Sequence, residues 1–556
     1  VLAIIVAINA LSQYFYRSFD LTEDERFTLT EPTTDLLTGL QAPIYVQVLL
    51  SGKLPIQFQR LQSAAIDMLN QYEKLSGNQI QYELIDPSDG TTEQINKMRK
   101  ELSEEGIFPT TIRVMESDEM TEKLIYPYIL FRLGTRVHAV NILESEAVAV
   151  SPDIQLNNSI SLLEYKYSNA IQKLLTNQKS NIAFLQGHGE LQKYETYDLE
   201  NTLRKFYNTG HLYLDSVYKI DQRIELVIIP KPTMAFAERD KFILDQYVMK
   251  GGKIMWLIDK LNVSLDSIRA NTRYVPFENN LNLDDFFFKH GIRLNPDLIQ
   301  DLECTRIPLT VNQTGSRPQY ELFPWYYHIL AVPAAGHPIT NNLDRVNLFF
   351  PSTLDTLKSK YNLSKTVLLT SSDYSRFQLT PVQLDMNIVR VPPVPEKFNK
   401  PNLPVAVLLE GKFASLYENR VTADMEKGLT ELGEVYSGVS EPNKMMVITD
   451  GDLPYNNVKN QAQEYWPLGY NIYERRAFAN KEFLLNSIEY LIGDGGVLSA
   501  RTKEVKLRLL DTVKANQEQL KWQVINVVLP LAGLLVFGLL YFFVRKRKYG
   551  RKLNRT

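Results

Sequence analysis

Gly187-His188-Gly189-Glu190 is the segment whose residue types and spacing best suit chemistry. The two glycines let a backbone come close to a ligand. His188 and Glu190 could hydrogen-bond a small polar or glycan ligand. The segment follows the apolar run 181–186, so it falls at the C-terminal end of a strand, where open α/β sheets bind ligands. Asp259 ends a second apolar run, 253–259, and could face the same crevice. A local reading stands beside this one. Glu190 would cap the following helix, and Asp259 would be a turn residue.

Other chemistries lack their residues. A nucleophile needs a strand-to-helix turn and a nearby base. The single cysteine, Cys304, sits in LIQDLECTRIPL with no glycine elbow, so no catalytic residue is assigned. The six histidines (138, 188, 211, 290, 328 and 337) never take the i, i+4 spacing of a helical zinc pair, so no metal or other cofactor is assigned. The phosphate loop G-x-x-x-x-G-K-[ST] of a transport motor is absent. Gly251-Gly252-Lys253 has the wrong spacing and ends a helix instead of opening one. The aromatic run 323–327 reads as packing or, alternatively, as a glycan platform.

These residues need elements to hold them. Residues 20–178 read as a first domain in the order β-α-β-α-β-β-α. Its strands are 44–50, 79–85, 111–115 and 124–133; its helices are 55–76, 93–105 and 160–176. That order resembles a thioredoxin-like fold, in which Pro109 takes a position often held by a cis-proline. The loop after the first strand, Ser51-Gly-Lys-Leu-Pro55, has no thiol, so redox chemistry is excluded. Residues 179–496 read as a doubly wound α/β domain. Its strands at 181–186, 226–229, 253–259 and 444–450 are near-continuous apolar runs, as buried parallel strands are. Helices are expected near 194–207, 238–249 and 483–492. Between them, 305–440 reads as an inserted or extended β-containing portion.

Both ends of the chain are apolar. Residues 522–544 form a 23-residue run without charge, long enough to span a membrane. Seven Lys/Arg and no acid follow it, which marks 545–556 as a basic cytoplasmic tail. Residues 1–17 read as an N-terminal transmembrane helix, truncated because the chain begins without Met; the alternative is a cleaved signal peptide. Residues 497–521 read as an amphipathic, basic juxtamembrane helix, suited to the bilayer surface or to a partner subunit. On the last span, Asn526, Ala532, Gly533 and Gly538 are polar or small and suit helix–helix contact with a permease. The formal charge is −3; without the seven tail cations it is −10 over residues 1–544. So acidic a body argues against nucleic acid as a partner. One cysteine permits no internal disulfide, and few cysteines suit a bacterial periplasm.

Two stretches carry a family resemblance. NIAFLQGHGE … LVIIPKP … FILDQYVMKGGKIMWLID resembles the extracytoplasmic domain of ABC-transporter auxiliary proteins, which are similar to class I glutamine amidotransferase-like domains. The closing ARTKEVKLRLLDTVKANQEQLKWQVINVVLPL … RKRKYGR resembles the gliding-motility-associated, GldG-like family of Bacteroidetes. The resemblance implies an ABC-2-type exporter with a separate permease and a separate ATPase as partners. It implies a bacterial inner-membrane location, cytoplasmic termini and a periplasmic bulk, with a link to gliding in some members. The function expected is a non-catalytic auxiliary subunit that engages substrate or envelope partners. The rival is a membrane-anchored periplasmic protein that binds or hydrolyses glycans through the GHGE crevice.

Overall fold

The computed structural model describes residues 28–502, apart from 106, 117–118, 145–151, 177–178, 271–272, 315–316, 362, 432, 459–464 and 494–495, together with residues 519–549. The expected first span (1–17), most of the expected juxtamembrane helix and the end of the basic tail lie outside the described residues. The chain divides into two compact units, Val1–Val505 and Lys506–Thr556.

The first unit holds two main sheets. After α1 (Glu31–Thr38), the smaller sheet is laid down by β1 (Ile44–Val48), α2 (Ile56–Leu75), β2 (Ile80–Leu84) and α3 (Thr92–Glu104). It continues through β3 (Thr110–Glu116), β4 (Glu119–Ile125), β5 (Tyr128–Leu133), β6 (Arg136–Asn141), α4 (Pro152–Ser161) and α5 (Leu163–Leu175). The strand order is β2-β1-β5-β6. β1 runs parallel to β2 and antiparallel to β5, with Val46 opposite both Tyr82 and Phe131. Alternate residues of β1 (Ile44, Val46, Val48) are buried under Leu61, Leu69 and Tyr72 of α2 and Tyr167 and Ile171 of α5. α3 covers the opposite face through Leu102, against Leu49 and Leu130. A capping box opens α3: the Thr91 side chain accepts from Gln94 N, and the Gln94 side chain accepts from Thr91 N.

Three expectations for this region are corrected. The stretch 124–133 is two strands, because Pro127 has no N–H to donate and breaks the ladder. The expected strand 111–115 leaves the sheet and pairs with β4 in a separate hairpin. Pro109 does not follow a cis bond; among the described residues the cis X-Pro bond is Thr380–Pro381.

The larger sheet has ten strands. The first five elements of its winding are β7 (Asn181–Gln186), α6 (Tyr197–Arg204), β8 (Asn208–Tyr213), β9 (Ile224–Pro230) and α7 (Glu238–Met249). Then come β10 (Lys253–Leu257), β11 (Cys304–Thr314), β12 (Arg317–Pro333), β13 (Val346–Phe349) and β14 (Ser364–Thr370). β15 (Pro404–Gly411), β16 (Asn443–Ile448) and α8 (Asn480–Ile492) close it. The order is β11-β12-β14-β15-β16-β10-β9-β7-β8, with β13 on β12. The five strands from β16 to β8 are mutually parallel. In chain order they run 2-1-3-4-5, so the winding reverses between β7 and β9. The other half is antiparallel. Residues 305–440 therefore extend this one sheet. The reason is visible in β15, whose Val405 to Leu409 are buried on both faces and so fit only inside a sheet covered on both sides. The same alternation divides the core in two. Leu226, Ile228, Met255 and Leu408 enter one cluster with α8; Val227, Ile229, Trp256 and Val407 enter the other with α7.

The second unit contributes α9 (Gln519–Tyr549), whose segment Lys521–Lys548 is apolar and long enough to cross a membrane. Asn526 and Gly533 are seven residues apart and share a face; Gly538 lies about 140° around the helix from Gly533 and Ala532 about 100° from it. The four expected contact residues therefore do not form one stripe.

Candidate functional site

The parallel strands all end at one edge, and the loops beyond them bring a group of charged residues together. After β7 comes the Gly187–Glu190 turn. After β9 come Lys231 and Thr233, after β10 Asp259 and Lys260, and after β16 Asp450 and Asp452. The edge sits where the winding reverses, the usual ligand position in such sheets. A crevice of about 540 Å³ opens there. Its lining includes Gly189, Glu190, Lys231, Thr233, Asp452 and Tyr455.

The Gly187–Glu190 turn is closed on itself. Gly187 and Gly189 have φ of +117° and +77°, a backbone that L side chains rarely adopt. A Cβ on Gly189 would stand 2.1 Å from Thr233 Oγ1. The Glu190 carboxylate folds back to accept from His188 N at 2.7 Å, and its side chain is fully buried. His188 O accepts from Thr233 N and Met234 N. The imidazole points away from the crevice. It stacks on Phe236 at 4.0 Å, and its Nε2 lies 3.2 Å from Asp240 Oδ2. Its Nδ1 lies 3.5 Å from Glu190 Oε1. Burial alone pushes this imidazole down, but Glu190 and Asp240 outweigh it and raise its pKa. Of the four residues the sequence singles out here, Gly189 and Glu190 line the crevice, while His188 serves the packing between the turn and α7.

Asp259 belongs to a different group. Its Oδ2 lies 3.2 Å from Lys231 Nζ, and its Oδ1 accepts from Gly451 N at 2.5 Å. Lys231 Nζ also pairs with Asp452 Oδ2 at 2.5 Å. Asp450 sits behind them, accepting from Phe349 N at 2.7 Å and from Asp452 N at 2.8 Å. Burial lifts the Asp259 carboxyl to about 6, with Lys231 opposing the rise. Burial and the neighbouring Asp259 and Asp452 charges raise Asp450 well above the usual carboxylate range. Lys231 is raised, because its two carboxylates outweigh its burial. Its φ of +54° is uncommon for a residue with a side chain, and such strained positions cluster at functional sites. Gly451 makes room for it: a Cβ there would stand 2.8 Å from Lys231 Cβ.

Lys231, Asp450 and Asp452 escaped the sequence reading. The signal was present as Ile-Ile-Pro-Lys and Ile-Thr-Asp-Gly-Asp, each a charged residue directly after a buried apolar strand. Elsewhere, burial pushes the Cys304 thiol up to about 12, which keeps it protonated and poorly nucleophilic. The aromatic run at 323–327 is packing: Trp325 and Tyr327 are buried with Leu298, Phe350 and Leu384. Among the described residues, no group of three His, Cys, Asp or Glu is placed to hold a metal ion.

Comparison with known proteins adds an independent line. A family model described as an ABC-type uncharacterized transport system (ABC_transp_aux) matches residues 179–487, more than half of the chain. A domain of unknown function, DUF7088, matches residues 23–132. An uncharacterized protein of Borreliella burgdorferi is 20% identical over 542 residues, covering 95% of this chain and 93% of that protein. Among solved structures, the mmIFT52 N-terminal domain aligns over 57% of this chain and 99% of its own length, at 13% identity and a TM-score of 0.30. That score is too low to establish a shared fold.

Proposed function

We propose that this chain, which belongs to the ABC-type transport system auxiliary family, is a non-catalytic membrane subunit that works beside a separate permease and a separate ATPase. The observation that carries the reading is a pairing on one chain. The family-matched sheet is joined to an apolar helix with a basic end, and the sequence has no phosphate loop. A motor must cradle nucleotide phosphates on such a loop, so the energy for transport must come from another subunit.

In this proposal α9 packs against the permease, with Asn526 and Gly533 on the contacting face. The cations that end α9 stay cytoplasmic. The two sheets then lie in the periplasm, where they engage substrate or envelope partners. Residues 1–17 form a second span in the bacterial inner membrane. A link to gliding motility belongs to the same proposal and is supported by the sequence resemblance alone.

The test is purification of the tagged, full-length chain from its native membrane in mild detergent, with co-purifying proteins identified by mass spectrometry. The proposal expects a stoichiometric ATPase and a multi-span permease. Recovery of the chain alone, or with periplasmic proteins only, contradicts it. Gly533→Leu should then reduce the recovered permease several-fold, and Gly538→Leu should reduce it less, because the two glycines occupy different faces.

A further inference from the structure

We propose that the crevice beside Lys231 binds a neutral saccharide, held by the Lys231–Asp452 pair and an aromatic wall. The inference deepens the proposed engagement of substrate or envelope partners and rests on that reading of the ectodomain. Four observations carry it.

Place and size come first. The crevice lies where the winding reverses, and its volume of about 540 Å³ is that of a small-molecule site. Charge comes second. Lys231 is already matched by Asp259 and Asp452, and Arg269 has Asp266 at 3.7 Å. Arg306 also lines the crevice and has no carboxylate within ion-pair distance among the described residues. One unmatched guanidinium is a poor basis for binding a phosphate ester, and the carboxylates facing the crevice add repulsion. An uncharged ligand meets neither obstacle.

Hydrogen-bonding capacity comes third. The Lys231 ammonium carries three donors and has two carboxylate partners, so one donor remains for a ligand. The Asp452 carboxylate beside it keeps acceptor capacity. Both side chains are about one-fifth exposed, so a ligand can reach them. A donor and an acceptor side by side match a vicinal diol, in which each hydroxyl both gives and receives. Gln192 and Asn457 add amide groups along the rim. The apolar wall is fourth. Tyr455 and Tyr470 line the same crevice, and Tyr470 is braced by stacking on Trp466 at 5.0 Å. Such faces offer the large amphipathic contact area that the C–H face of a sugar ring uses. His188 takes no part, because its ring faces α7.

The test is saturation-transfer NMR on the full-length chain in lipid nanodiscs, which avoids sugar-headed detergents. The probes are neutral mono- and disaccharides (glucose, galactose, mannose, N-acetylglucosamine and their dimers), with inorganic phosphate, glucose 6-phosphate and glucosamine beside them. At least one neutral sugar should bind. Asp452→Asn and Tyr455→Ala should each weaken it about tenfold, as loss of a charge-assisted hydrogen bond or an aromatic anchor does. Tyr455→Ala leaves the ion cluster intact, and an unchanged melting temperature separates lost binding from lost folding. Binding of the charged probes without any neutral sugar overturns the saccharide assignment and keeps the crevice as a site. No binding of any probe overturns both. Neutral-sugar binding that survives both substitutions overturns this location.

Discussion

Two strand ends that are neighbours in the sheet handle buried charge in opposite ways. After β7, the Gly187–Glu190 turn points its polar groups inward: Glu190 accepts from the His188 amide, His188 Nε2 meets Asp240 and its ring stacks on Phe236, while His188 Nδ1 and Glu190 Oε1 face each other at 3.5 Å, buried and without a hydrogen bond. After β9, Lys231 is held in a strained backbone between two carboxylates, and its partly exposed ammonium faces a crevice. Glycines shape both places. The difference lies in what remains unused. A turn closed on itself fixes a fold, whereas a buried ion cluster that costs desolvation and still meets solvent is a candidate site.

Breaking the second region should have the largest effect. Lys231→Met leaves Asp259 and Asp452 without their cation, and loss of one partner of a buried pair destabilises by about 3 kcal/mol. Urea unfolding should show it, and adding Asp259→Asn should restore part of the loss. An unchanged midpoint would mean that the cluster is solvated and the contrast is false. Breaking the turn should cost somewhat less. Gly189→Ala meets Thr233 and a φ of +77°, a penalty of about 1–3 kcal/mol, whereas Gly187→Ala, with nothing within 4 Å of its added Cβ, should suffer only the backbone strain.

The smallest effect is a pH dependence that separates the two regions. Asp259 holds its proton more tightly folded than unfolded, near 6 against about 3.9. Its contribution is therefore complete below about pH 4 and is lost as pH rises through 6. His188 is also raised, so its contribution is complete below about 6.5 and is lost above that, through its folded pKa. Melting curves between pH 4 and 9 should show Asp259→Asn reducing the lower slope, to which the raised Asp301 and Asp450 carboxyls also contribute, and His188→Gln reducing the upper one. A single substitution that removed both would show the two regions to be one titrating unit.

How much of this was legible in the sequence follows from the range of each signal. Val405 to Leu409 and Leu226 to Ile229 announce buried strands locally, since every residue is apolar. That the two belong to one sheet depends on pairing across more than 170 positions, which periodicity does not record; hence the sequence leaves 305–440 open as an inserted or an extended portion. The glycine-flanked His188 stands out locally because glycine and histidine are conspicuous in sequence. What makes Lys231 a candidate site is the arrival of Asp259 and Asp452 from two other strands, and no local pattern encodes that. Asp259 is conspicuous in sequence as a strand-end carboxylate; in the structure it pairs with Lys231, which lines the crevice. The split of 124–133 at Pro127 is local: proline lacks the donor that a continuous strand requires.

The contrast between the closed turn and the open ion cluster can be measured at one atom. Hydrogen exchange at the imidazole C2 position, followed by mass spectrometry across a pH series, reports both accessibility and pKa for each histidine of the full-length chain. The account predicts slow exchange at His188 with a midpoint above 6.5. Fast exchange with an ordinary midpoint would place the ring in the crevice and contradict it.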